Sequence, residues 1–229
     1  MIKKNTFWIF VFLAPAVIMF CIIYMAPLIT VVVSSFTAWN GYEKMRFIGF
    51  GNYIEMLTDD AFLAAFINSI KWSAWAAFVH VPFGVLVALI LSKKPRGWRT
   101  TRAVFMIPNI IAPTAMAILF LFVYKPEFGI LNGLVKMLGF KDFNINWLYD
   151  SRTAFISVTM IWLPYAAVIT LITMAELMSV PQSIYESAKI DGASNLQIDL
   201  YINLPLLWKI IGTGEIIAVT AALRKFDVI

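Results

Sequence analysis

The residues best able to meet another molecule lie in one polar stretch, YESAKIDGASNLQIDLYINLP, from Tyr185 to Pro205. Glu186 offers an ionic or hydrogen-bonding contact, and Ser187 and Ala188 are small enough for a second surface to approach closely. Asp191-Gly192 is a stop and turn signal. Ile184, Ser187, Ala188 and Asp191 recur at three- and four-residue spacing, so they share one face of a helix opened by Pro181. Ser194 followed by Gln197 reads as the capping box of a second helix, and Pro205 marks the start of the next apolar run. The predicted object is a polar helix-turn-helix over about 181–205. Lipid contact is the competing use, but helices lying on headgroups are usually rich in Lys and Arg. Here Lys189 alone stands against Glu186, Asp191 and Asp199, which favours docking to a partner protein.

Covalent chemistry finds little support. No carboxylate pair and no nucleophile with an adjacent base stands at a useful spacing. The lone His80 and the lone Cys21 cannot build a metal cluster or an internal disulfide, so no metal and no cofactor are expected. No G-x-x-x-x-G-K-[ST] run occurs, so any ATP must be handled by another subunit.

The elements that position the hairpin follow from solvent. With 61% hydrophobic and 14% charged residues and a mean hydropathy of +0.83, the chain is far more apolar than a soluble domain. The net charge of +5 comes from basic residues gathered at the ends of apolar runs, which are topology signals and not a nucleic-acid footprint. Crossing a bilayer takes roughly 20 apolar residues. Five runs qualify as predicted spans, about 7–33, 72–91, 103–124, 153–175 and 204–223, the last interrupted by Lys209 and Glu215. A membrane β-barrel needs short alternating strands, whereas these runs are continuous, so the predicted class is an all-α, polytopic membrane protein forming a single transmembrane domain. Lys3 and Lys4, and then Lys93, Lys94, Arg96, Arg99 and Arg102 in the second connection, point to the cytoplasm, while the mixed-charge first and third connections suit the outer face. Counting from a cytoplasmic N-terminus, the hairpin after the fourth span is also cytoplasmic.

The spacing Glu186-Ser187-Ala188, then Gly192, then Ile202-Asn203-Leu204-Pro205 resembles the Glu-Ala-Ala signature of permease subunits in binding-protein-dependent ABC importers, with Ser187 the one departure. Further segments resemble the carbohydrate branch of that family, the maltose and glycerol-phosphate type permeases: FLAPAVIMFCIIYMAPLITVVVSSFTAWN, FIGFGNYIEML, FGILNGLVKMLGF, INWLYD and AELMSVPQSIYESAKIDGAS, in this order along nearly the whole chain. The resemblance implies a type I importer fold in the bacterial or archaeal inner membrane. It also implies ABC ATPase subunits, a second permease subunit and an extracytoplasmic solute-binding protein as partners. Glu186, Ser187, Ala188, Asp191, Gly192, Ile202, Leu204 and Pro205 would then form the ATPase-coupling loop.

Within that reading, Asn109 beside Pro108, and Trp162 and Tyr165 flanking Pro164, are candidates for the substrate path, since sugar hydroxyls take hydrogen bonds and sugar C–H faces stack on aromatic rings. Trp162 and Tyr165 equally suit packing or the membrane interface. Glu215 is the one acid well inside a predicted span and is expected to face a cavity or a partner, while Lys209 snorkels to the interface. Five spans are present where the family has about six, so the chain is expected to be truncated after Ile229. A secondary transporter or channel subunit is the alternative, which more intramembrane ionisable groups or paired inverted repeats would favour.

Overall fold

The computed structural model describes residues 6–224. Helix α1 spans Trp8–Ser35, α2 Gly51–Thr58, α3 Asp60–Ser92, α4 Trp98–Asn109, α5 Pro113–Tyr124, α6 Ile130–Met137, α7 Ala154–Ser179, α8 Gln182–Ile190 and α9 Asn195–Leu223. A short antiparallel ladder, β1 Thr37–Ala38 with β2 Arg46–Phe47, pairs Thr37 with Phe47. Helices α1, α3, α7 and α9 are each long and apolar enough to cross a membrane, and α4 with α5 makes a fifth crossing if that bent pair is one span. The chain is therefore an all-α membrane protein.

Prolines set the local form of these helices. A proline clashes with the carbonyl four residues back and donates no N–H. Pro27, Pro82 and Pro205 each follow a π-turn, Cys21–Met25, Ala76–His80 and Asp199–Asn203, in which the helix widens by one residue. The N–H of Ala26, Val81 and Leu204 then bonds the carbonyl five residues back, and the helix runs on through the proline. Pro108 and Pro164 lie in tighter turns, Ile107–Asn109 and Leu163–Ala166.

Three predicted segments differ from the structure. The run over 103–124 is not one straight helix: α4 and α5 meet at 102°. Ala112 is extended, with φ −58° and ψ 136°, because the ring of Pro113 excludes the helical conformation from the residue before it. The second helix begins at Asp60, well before the predicted start at residue 72, because the Asp59 carboxylate accepts the Ala61 N–H at 2.9 Å and starts the helix in polar sequence. The second arm of the hairpin is not separate from the fifth span; the π-turn before Pro205 carries α9 unbroken from Asn195 to Leu223.

Two compact units divide within α3, the first ending at Ile67 and the second starting at Asn68. In the first, α1 buries none of its most apolar window, as expected of a helix that meets lipid or another subunit. Past its end, Asn52 donates Nδ2 to the carbonyls of Ser35 (2.9 Å) and Thr37 (3.0 Å), and the Tyr53 hydroxyl lies 2.8 Å from Ser35 Oγ. Phe36, Phe50 and Tyr53 close over this junction with ring centroids 5.5 to 5.8 Å apart.

In the second unit, Trp72, Val81, Val85, Ile169, Leu177 and Leu207 form the core. Helices α3 and α7 approach closely at Gly84, where a Cβ would stand 2.8 Å from Ile169 Cβ and 3.0 Å from the Ala166 carbonyl. Thr170 Oγ1 donates across this contact to the Gly84 carbonyl at 2.9 Å. Beyond α5, Asn132 is buried and holds the third connection. Its Nδ2 donates to the carbonyls of Pro126 (3.2 Å) and Ile145 (3.0 Å), and its Oδ1 accepts Trp147 Nε1 at 2.9 Å.

Candidate functional site

The polar hairpin is built by backbone chemistry at its turn. After α8, the Ala193 N–H bonds the Ala188 carbonyl at 2.9 Å and the Gly192 N–H bonds the Lys189 carbonyl at 3.1 Å, the paired closure of a Schellman motif. That closure needs a left-handed residue, and Gly192 supplies φ +80°. A Cβ there would meet no atom of this chain within 4 Å, so the requirement is conformational and not spatial. Ser194 caps α9: its Oγ accepts the Gln197 N–H at 3.3 Å, and Gln197 Oε1 accepts the Ser194 N–H at 2.8 Å.

The predicted hairpin residues divide by exposure. Glu186, Ser187, Asp191 and Gly192 are exposed, and so is Pro205 on α9. Ser187 Oγ donates to the Ser183 carbonyl at 2.9 Å, so the extra hydroxyl is satisfied within α8. Ala188 is buried, so its small side chain serves the hairpin's own packing. Ile202 is half-buried, and Leu204 packs against the main core. Exposed apolar side chains accompany the polar ones at the tip, with Ile190 at 85% and Leu196 at 66% of full exposure.

Beneath the hairpin runs a polar chain. Tyr185 Oη donates to Asn203 Oδ1 at 2.9 Å, Asn203 Nδ2 donates to Asp199 Oδ1 at 2.9 Å, and the Lys93 ammonium pairs with Asp199 Oδ2. Asp199 and Asn203 are both buried and both lie in the π-turn. Burial, and then the neighbouring Asp199 carboxylate, raise the Tyr185 phenol above its usual range, so it stays a proton donor. Residue types alone suggested a solvated charge at Asp199 and a topology signal at Lys93. The i, i+4 spacing of Asp199 and Asn203 was the available hint of their contact.

A second feature is a cavity of about 240 Å³ between α3, α7 and α9. Asn109, Trp162 and Tyr165 come together on its wall with Trp75, His80 and Ala222. The two proline-broken segments meet there, with Asn109 Nδ2 reaching the Pro164 carbonyl at 3.5 Å. Trp162 and Tyr165 have ring centroids 5.1 Å apart, and His80 lies 5.6 Å from the Trp75 ring. The Tyr165 hydroxyl is buried without a hydrogen-bond partner among the described residues, a vacancy that a polar ligand atom can fill. Glu215, half-buried on α9, is not on this wall. Among the described residues no three His, Cys, Asp or Glu side chains gather closely enough to hold a metal ion.

Comparisons with known proteins agree with this architecture. The "Probable ABC transporter permease protein YurN" of Bacillus subtilis (strain 168) is 29% identical over 99% of this chain and 79% of its own length. The trehalose/maltose transport system permease protein MalF of Thermococcus litoralis is 30% identical over 80% of this chain and 62% of its own length. A chain in the crystal structure of a bacterial ABC transporter involved in the import of the acidic polysaccharide alginate superposes with a TM-score of 0.82 at 20% identity, covering 98% of this chain and 77% of that one. Residues 80–229 match the family described as binding-protein-dependent transport system inner membrane component. Hairpin, bent span and cavity all fall in this stretch, and the chain belongs to that family of inner-membrane transport proteins.

Proposed function

We propose that this chain is a permease subunit of an ATP-driven importer for a sugar or related solute, and that the α8–α9 hairpin couples it to separate ATPase subunits. The relative named for trehalose and maltose supports a carbohydrate cargo. The basic second connection supports a cytoplasmic N-terminus and a cytoplasmic hairpin, within reach of ATPases. A second permease and an extracytoplasmic binding protein complete the assembly, with lipid around it.

The observation that carries the mechanism is the continuity of α9. Its 29 residues extend about 43 Å from the hairpin cap at Asn195 to Leu223. Ile217, Ala218, Ala221 and Ala222, near its far end, line the cavity. A regular helix resists compression along its axis because every turn is hydrogen-bonded to the next. A push on the hairpin therefore arrives at the cavity wall as a displacement of α9. In this scheme Glu186, Asp191 and the exposed apolar tip meet the ATPase, while Gly192 keeps the turn closed. Ile202, Leu204 and Pro205 join the hairpin to the core. Asn109, Trp162 and Tyr165 face the solute, with Tyr165 offering its unfilled hydroxyl and the rings offering flat apolar faces. Glu215, away from the cavity, faces a partner subunit.

The test is purification of the assembled transporter. Gly192→Asp and Glu186→Lys are expected to reduce the ATPase subunit recovered with the chain and to abolish solute-stimulated ATP hydrolysis. Normal recovery and normal stimulation in both variants would overturn the coupling assignment.

A further inference from the structure

We infer that Lys93, Asp199, Asn203 and Tyr185 form a positioning relay that clamps the hairpin to the end of α3, so that hairpin movement reaches the α3–α7 core directly as well as along α9. This rests on the coupling role proposed above.

Each link joins a different part of the second unit. Tyr185 belongs to α8, Asn203 and Asp199 to the π-turn of α9, and Lys93 to the end of α3, 106 residues from Asp199 in sequence. The chain of donors runs one way: phenol to amide oxygen, amide nitrogen to carboxylate, with the ammonium closing the far side. Asn203 is suited to the middle because its amide accepts on one atom and donates on the other. The π-turn that accommodates Pro205 also brings Asn203 Nδ2 within 2.9 Å of Asp199 Oδ1. Apolar packing alone would let α8 slide over its neighbours, since dispersion contacts have little directional preference. Hydrogen bonds fix distance and angle, and a buried carboxylate loses much if its partners leave.

The α3 end of the relay is specialised too. Lys93 is the C-terminal cap of α3, and the next residue, Lys94, stands in the left-handed region at φ 51° without being glycine. That kink turns the chain away as Lys93 reaches back to Asp199. Beside the pair, an apolar cavity of about 400 Å³ bordered by Val85, Leu89, Leu200 and Leu204 separates α3 from α9. The two helices have room to approach there while the ion pair acts as the pivot.

The experiment uses the complete transporter in lipid vesicles and measures two quantities, ATPase subunit recovered with the chain and solute imported per ATP hydrolysed. Asp199→Asn, Lys93→Met and Tyr185→Phe are expected to keep ATPase recovery at the unsubstituted level while import per ATP falls about fivefold. The exchange Lys93→Asp with Asp199→Lys is expected to regain at least about half of that loss, since the Asn203 amide can flip to present its oxygen. The relay is overturned if import per ATP is unchanged in all three single variants. It is equally overturned if recovery and import fall together without rescue by the exchange, which is the signature of a merely structural contact. Absence of an ATPase subunit from the unsubstituted complex overturns the coupling role itself and the relay with it.

Discussion

Gly192 holds φ +80° at the point where two carbonyls of α8 must be closed off before α9 begins. An L side chain in that conformation costs about 1–2 kcal/mol. Gly192→Ala is therefore expected to loosen the turn by about that amount even though no atom of the chain opposes its Cβ, whereas Gly192→Asn, which tolerates the left-handed region, is expected to lose less. Hydrogen exchange of the amides of Gly192 and Ala193, which donate the two closing bonds, checks this: protection should fall in the order Gly, Asn, Ala. An order in which Ala equals Gly would mean that the conformational requirement had been misassigned. This loss is separate from that of Gly192→Asp, where a side chain with charge also meets the partner surface.

Among the elements, the α3–α7 pair is held by close approach more than by bulk. In a membrane the hydrophobic effect does not distinguish helix from lipid, so small residues and interhelical hydrogen bonds carry association. Gly84 leaves no room for a side chain, and Thr170 uses the proximity to bond its carbonyl. Gly84→Val is expected to force the helices apart and to cost about 1–3 kcal/mol. A thermal-stability assay on detergent-solubilised protein should show a lower midpoint, and an unchanged midpoint would remove Gly84 from the packing core. Elements also explain the largest departure from the hydropathy pattern. The 102° bend of α4 against α5 lies within a run apolar enough to read as one span, yet Pro113 forbids a helical Ala112. Hydropathy reports solvent and is blind to direction.

For the whole molecule, the cavity and the hairpin are ends of one mechanical path, so their variants should fail differently. Tyr165→Phe removes a hydroxyl that no described residue satisfies, and the site therefore loses a contact only when solute is present. Solute uptake is expected to show a KM raised roughly tenfold, as for loss of a hydrogen bond of about 1.4 kcal/mol. ATPase recovery with the complex should stay unchanged. An unaltered KM would place the cargo elsewhere in the bundle.

Much of this protein was readable from residue order. Membrane solvent, the all-α class, the capped hairpin and its glycine turn are local or compositional properties, so Ser194, Gln197 and Gly192 declare them through their immediate neighbours. Asn109, Trp162 and Tyr165 could be nominated because each flanks a proline inside an apolar run. Their meeting on one cavity wall could not be deduced, nor could the absence of Glu215 from it, because both depend on how α4, α7 and α9 rotate about their axes. The burial of Ala188 and the Lys93–Asp199 pair belong to the same class. A charge in sequence carries no record of a partner 106 residues away, and an alanine carries none of which way it faces. Local backbone sterics and solvent preference determine what each segment is, whereas side-chain packing between segments distant in sequence decides which of their polar groups meet.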